Sequence, residues 1–114
     1  MLIQAGEKVH IITRRLFESD LRRHFAGIVI GADGSTLRLS GFAFVFDDGL
    51  NDFLRQDDRR ERIFSLTDAG LVINLLPASA NLDAIRYISD DQGRRILTDE
   101  ETFNLNINEF GINR

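Results

Sequence analysis

One stretch constrains the fold more than any other. Residues 22–46 read Arg-Arg-His-Phe-Ala-Gly-Ile-Val-Ile-Gly-Ala-Asp-Gly-Ser-Thr-Leu-Arg-Leu-Ser-Gly-Phe-Ala-Phe-Val-Phe, two apolar runs about Asp33-Gly34. Asp-Gly between such runs signals a hairpin, because Gly accepts φ > 0 and Asp bonds its own backbone. The runs are rich in β-branched and aromatic residues, which suit a pleated, half-buried surface. In the first strand, Phe25, Gly27, Val29 and Gly31 share one face, and Ala26, Ile28, Ile30 and Ala32 the other. In the second, Leu37 and Leu39 alternate with Arg38 and Ser40. Beyond Gly41, Phe42, Phe44 and Phe46 form a stripe opposite Ala43 and Val45.

Two apolar faces and three glycines (Gly27, Gly31 and Gly41) predict a bulged, bent sheet rather than a flat one with a wet side. The expected class is all-β and mainly antiparallel, a small bent-sheet barrel extended by a C-terminal β-meander. A two-sheet sandwich stays open as the alternative. At 114 residues the chain fits a single domain, 1–114.

The flanks supply the other strands. Lys8–Thr13 reads as a first strand, with Val9 and Ile11 on one face and His10 and Ile12 on the other. Residues 14–25 fit either a helix or a strand, a loop at Glu18-Ser19-Asp20 and a new strand from Leu21. The β flanks favour the second. Residues 47–61 carry charges of both signs and predict a long surface loop, with room for a turn of helix at Asn51–Arg55 pinned by Phe53 and Leu54. Arg62–Leu66 is a short strand, and Leu71–Leu76 a buried one ended by Pro77. Leu82–Ile88 is a strand, although Asn81-Leu82-Asp83-Ala84 can also begin a helix. A turn at Asp90–Gly93 returns through Arg94–Thr98. Thr102–Phe110 alternates Phe103, Leu105 and Ile107 with Asn104, Asn106 and Asn108.

Charge narrows the partners. The net charge of −4 argues against indiscriminate nucleic-acid binding. Residues 8–38 nevertheless carry six bases against three acids, a balance of +3, while residues 39–114 carry eight bases against fourteen acids, a balance of −6. Arg14, Arg15, Arg22, Arg23 and Arg38 are therefore the candidate anion or RNA contacts, since the guanidinium fork suits phosphate and carboxylate. Pairing with Glu18 and Asp20 is the competing use. Phe42, Phe44 and Phe46 are a candidate subunit interface if the chain's own core does not cover them.

Catalytic material is sparse. With no Cys and two His, thiolate sites, zinc sites and triads lack residues. The glycines match no phosphate-binding loop, and the acids of 47–61 do not follow calcium-loop spacing. Arg55, Arg59, Arg60 and Arg62 are expected to neutralise most of those acids. No catalytic, cofactor-binding or metal-binding residue is assigned, and no cofactor is expected. No run approaches the roughly 18 apolar residues of a membrane helix, and Met1–Gly6 turns polar at once, so a cytoplasmic protein with no membrane partner is expected.

Residues 25–39 resemble the first motif of Sm-like RNA-binding proteins. Phe25-Ala26-Gly27, Val29, Asp33 and Leu37-x-Leu39 follow that family's order of aromatic-x-Gly, aliphatic, Asp and Leu-x-Leu. Thr36 stands where the family has Asn, and the spacing from Asp33 is one residue short. The family's second motif is echoed only by Ile85-Arg86-Tyr87, with Tyr87 in place of Gly. The resemblance implies a small Sm- or SH3-like barrel. Family RNA contacts are not carried over, because the residues that make them do not match. The expected function is a non-enzymatic binding or self-association module that forms a homo-oligomer. The alternatives are a single-strand RNA binder and, less favoured, a carboxylate-dependent enzyme using the 47–61 loop.

Overall fold

The computed structural model describes residues 2–14, 17, 22–67 and 70–107. They form nine antiparallel strands and one turn of 3-10 helix. The strands are β1 (Lys8–Thr13), β2 (Arg23–Asp33), β3 (Thr36–Asp47), β4 (Asp52–Arg55), β5 (Arg60–Ser65), β6 (Leu71–Leu75), β7 (Arg86–Ser89), β8 (Arg95–Thr98) and β9 (Asn104–Asn106). The class is all-β with a bent sheet and a C-terminal meander, as the sequence predicts.

The large sheet is ordered β4-β3-β2-β1-β6, and β5 also pairs with β3. β3 is long enough to carry two partners in succession along one edge. Its first half, Thr36–Gly41, pairs with β5, and its end, Phe44–Asp47, pairs with β4. β5 and β6 are not hydrogen-bonded to each other, so the curled sheet stays open along these two strands. β7, β8 and β9 form a separate three-stranded sheet.

The hairpin is where the sequence puts it, one residue later. Asp33 pairs with Thr36 across a two-residue turn, Gly34–Ser35. Gly34 takes φ +55° at the first central position, where a type II′ turn demands a glycine. The register slips between Val29 and Gly31, leaving Ile30 as an extra residue. This bulge reverses the face parity of the rest of β2. Ala32 therefore joins Phe25 and Val29, not Ala26 and Ile28 as simple alternation predicts. Gly27 and Gly41 face each other across β2 and β3. A Cβ on Gly41 would lie 2.0 Å from the Ala26 carbonyl oxygen, so the two backbones meet where no side chain fits.

Each face of the large sheet has its own core. The inner, concave face collects Val9, Ile11, Phe25, Val29, Leu37, Leu39 and Ala43, with Phe64, Leu71 and Ile73 partly buried against them. The outer face carries Ile12, Ala26, Phe42, Phe44 and Phe53, which pack against Tyr87, Leu97 and Ile107 of the small sheet and Leu82 and Ile85 before it. Burying two faces explains why both sides of β2 and β3 are apolar.

Three expectations need correction. Residues 47–61 are not one loop. Asp52–Arg55 is a strand, drawn in because the end of β3 offers an unpaired ladder, and buried Phe53 anchors it while Leu54 stays outside. β6 is not buried on both faces. Among the described residues it is an edge strand paired only with β1, and Val72 and Leu75 are exposed. Leu82–Ala84 is a 3-10 turn capped by the Asn81 side chain, and the strand starts only at Arg86. β9 shows the expected alternation, with Asn104 and Asn106 exposed and Ile107 buried. Asn108, and most of the choice between helix and loop at 14–25, lie outside the described residues.

Candidate functional site

Phe42 and Phe44 are buried, and Phe46 packs against the same cluster. The chain's own small sheet covers that face, so the stripe is core and not a surface open to another subunit. The reason is the two-layer packing above: a face with three aromatics in a row is what a second sheet needs beneath it.

Under that sheet lies a polar network assembled from the chain's only two histidines and only tyrosine. His10 comes from β1, His24 from β2 and Tyr87 from β7, and all three are buried. His10 Nε2 lies 2.7 Å from Tyr87 Oη, and His24 Nδ1 lies 2.5 Å from the same oxygen. The phenol has one proton, so it donates to one ring and accepts from the other. Asn74 Nδ2 lies 3.4 Å from His10 Nδ1, and with the amide donating there His10 carries its proton on Nε2. The direction is then Asn74 to His10, His10 to Tyr87, and Tyr87 to His24.

Burial keeps every member neutral. It lowers the pKa of His10 to about 4. Burial, reinforced by the nearby charges of His10, Arg95 and Arg22, lowers that of His24 to about 2. Burial likewise raises Tyr87 well above its ordinary 10. His24 stacks on Phe53 with centroids 4.0 Å apart, and Phe44 meets Tyr87 edge-on at 5.1 Å. The Arg95 guanidinium, from β8, sits 5.1 Å from the Phe53 ring and donates to the Asn51 carbonyl at 3.1 Å. Its Nε lies 3.4 Å from Asp52. These groups tie the two sheets together at a fixed register. His10 and His24 are buried and Tyr87 nearly so, so the network joins strands of the two sheets across their interface.

The sequence gives little warning of this network, because its members lie 63 and 77 residues apart. The one available signal is parity. His10 shares its strand face with Ile12, and His24 shares its face with Ala26.

The predicted anion contacts do not form one patch. Arg15 lies outside the described residues. Arg14 and Arg23 are exposed near one end of the sheet, and the Arg22 guanidinium lies over the Phe46 ring at 3.9 Å. Arg23 pairs with Val45, whereas Arg38 lies seven residues back along β3, roughly 23 Å away at strand rise. Arg38 is also on the opposite face, beside Ile30 and Ile63 in an open surface cleft. Of the charged 47–61 segment, Arg55 pairs with Asp57 and donates to the Asp83 carbonyl, and Arg59 pairs with Asp83. Those arginines fasten the segment to the 3-10 turn.

Asp99 holds the β8–β9 connection in the same manner. It accepts from the Thr102 hydroxyl and from the N–H groups of Asn81, Glu101 and Thr102. Desolvation pushes its carboxyl up, but these bonds outweigh it and hold the group well below the usual carboxylate range.

Among the described residues, no group of three or more His, Cys, Asp and Glu is placed to hold a metal ion, and no helix is long and apolar enough to cross a membrane. The fold and these features define an open, two-sheet antiparallel β module with a neutral polar seam. Comparison with protein-family models, with curated proteins and with solved structures finds no match for the chain.

Proposed function

We propose that the protein is a non-enzymatic β module that associates with further copies of itself through the edge of its large sheet. The observation that carries this reading is the exposed edge strand β6. Leu71-Val72-Ile73-Asn74-Leu75 holds no charge and no proline, and Val72 and Leu75 are 46% and 61% exposed. Sheet edges are ordinarily protected by charge, proline, bulges or a covering segment, because a free ladder recruits another strand. β6 has none of the first three. A strand from a second copy would satisfy the N–H and C=O groups that no described strand pairs and would cover those side chains.

β5 shares the second edge with β4 and differs in character: Arg60, Glu61 and Arg62 give it charge, while Ile63 is 62% exposed. Pairing of β6 with β6 of another copy closes as a dimer. Pairing of β6 with β5 continues into a ring or a fibre. The resemblance to Sm-like proteins at residues 25–39 is compatible with either form. Its residues Phe25, Val29, Leu37 and Leu39 are core positions here, so they support a fold likeness and not a ligand.

The test is native mass by light scattering after size exclusion, for the wild type and Val72→Lys. The wild type is expected to exceed the 13.0 kDa protomer, and the lysine variant to return to it. A wild type that stays at protomer mass over the full range of accessible concentrations would overturn the reading.

A further inference from the structure

The backbone of β6 determines which strand can join it. Opposed residues of an antiparallel pair alternate between those that exchange both N–H···O bonds and those whose backbone groups point away. The Leu76 N–H donates to the Lys8 carbonyl at 2.8 Å, and the Arg14 N–H to the Gly70 carbonyl at 2.9 Å. These bonds bracket Val9–Leu75 and Thr13–Leu71 as non-hydrogen-bonded pairs, so Asn74 and Val72 are the residues that exchange bonds with His10 and Ile12. Leu71, Ile73 and Leu75 therefore direct their N–H and C=O groups away from β1, to a side where no described strand meets them. Leu71 and Ile73 pack against the inner core, so these three side chains lie on the inner face.

The same accounting sets β5 apart as a partner. The Leu66 N–H donates to the Ser35 carbonyl at 2.7 Å, which makes Thr36–Ser65 a non-hydrogen-bonded pair. Alternation along the strand then turns the backbone groups of Glu61, Ile63 and Ser65 away from β3. Phe64 and Leu66 pack on the inner core, so Glu61, Ile63 and Ser65 lie on the outer face. Opposed residues of paired strands carry their side chains on one face of the sheet. Antiparallel pairing of β6 with β5 of another copy would therefore join the inner face of one sheet to the outer face of the next. Pairing of β6 with β6 joins inner face to inner face.

We infer that β6 pairs antiparallel with β6 of a second copy about a two-fold axis at Ile73. This pairing rests on the edge association proposed above and specifies its partner and its register. Ile73 stands opposite Ile73, and Leu71 opposite Leu75 on either side of the axis. That gives three hydrogen-bonded pairs, and so six bonds, the most this strand can make with itself. A register slipped toward the C-terminus sets Pro77, which has no N–H, opposite Leu71. At the two-fold register the exposed Leu75 of each copy covers the half-buried Leu71 of the other, and the two inner cores meet across the axis. β6 carries no charge, so its own copy meets no like-charge repulsion there. An isologous contact of this kind closes at the dimer.

The experiment is oxidative cross-linking of Ile73→Cys in the full chain, which has no other cysteine. Cα atoms of a hydrogen-bonded antiparallel pair lie about 5.5 Å apart, within the range of about 4.4–6.8 Å that a disulfide spans. Ile73→Cys is expected to convert to a covalent dimer, at a wild-type native mass of twice the 13.0 kDa protomer, while Ile63→Cys on β5 stays uncrosslinked. Leu71→Cys and Leu75→Cys are each expected to stay uncrosslinked alone, since like positions lie roughly 14 Å apart at strand rise. Mixed and allowed to exchange subunits, they are expected to cross-link to each other, and this pair keeps the test decisive if Ile73→Cys does not fold. A native mass above the protomer with no cross-link at either place, or with a cross-link at Ile63→Cys instead, would overturn the two-fold pairing and leave self-association standing. A native mass equal to the protomer would overturn both.

Discussion

Acidification from about pH 8 to about pH 5 acts on this fold chiefly through His10 and His24. In the unfolded chain both imidazoles titrate near 6.5. In the folded chain burial holds them near 4 and near 2. Between these limits the unfolded chain binds protons that the folded chain refuses. The stability they contribute is complete above 6.5 and declines as pH falls, levelling for His10 below about 4. Each group costs up to about 1.4 kcal/mol per pH unit, so pH 5 removes about 2 kcal/mol per histidine and about 4 kcal/mol for the pair. Against a typical total of about 5–15 kcal/mol, that loss is readily measured. Asp90 and Asp99 have carboxyl pKa values lowered from an ordinary 3.8, so their losses fall at more acid pH and leave this window to the imidazoles.

The assay is urea unfolding followed by circular dichroism at closely spaced pH values. The wild-type midpoint should fall steadily below pH 6.5. A His10→Gln/His24→Phe double variant should start from a lower midpoint and change little across the same range. A wild-type midpoint that is flat from pH 8 to pH 5, or a fall of equal steepness in the double variant, would refute the argument.

Two further substitutions probe the packing. Gly41→Ala would put a methyl group 2.0 Å from the Ala26 carbonyl oxygen and 2.5 Å from the Gly27 Cα, forcing two backbones apart, and should cost about 3 kcal/mol or more by chemical denaturation. A stability within error of wild type would contradict the close approach described here. Phe44→Asp buries a carboxylate between the sheets and should abolish the cooperative thermal transition. A folded Phe44→Asp protein of reduced oligomeric mass would instead return the stripe to the role of an interface.

The legible part of the fold is the part held by local pattern. The Asp33-Gly34 signal and the dense β-branched runs define β2 and β3, and the two apolar faces of that hairpin anticipate a layer on each side. The bulge at Ile30 is not legible, because an extra residue leaves the composition of a strand unchanged while reversing its faces. β4 is hidden for a different reason. Asp52–Arg55 has weak strand character of its own and becomes a strand only because β3 outruns β5. β6 misleads in the opposite direction, since an apolar run reads the same at an edge as in the middle of a sheet. Local sequence pairs Arg60 and Arg62 with the acids beside them, and register places them on the inner face instead. The His10–Tyr87–His24 network depends on strands distant in sequence, and no local spacing announces it.

The chain has no tryptophan and a single tyrosine, and that tyrosine lies at the seam between its two sheets. Its tyrosine emission and its near-ultraviolet phenol absorption therefore arise at one known position. Tyr87 is in effect a built-in optical gauge of whether the small sheet is seated on the large one. Separation of the layers would replace two imidazole partners with water around the phenol, and the signal would register that event without an attached label. Loosening confined to the β6 edge or the Gly34–Ser35 turn would leave it dark.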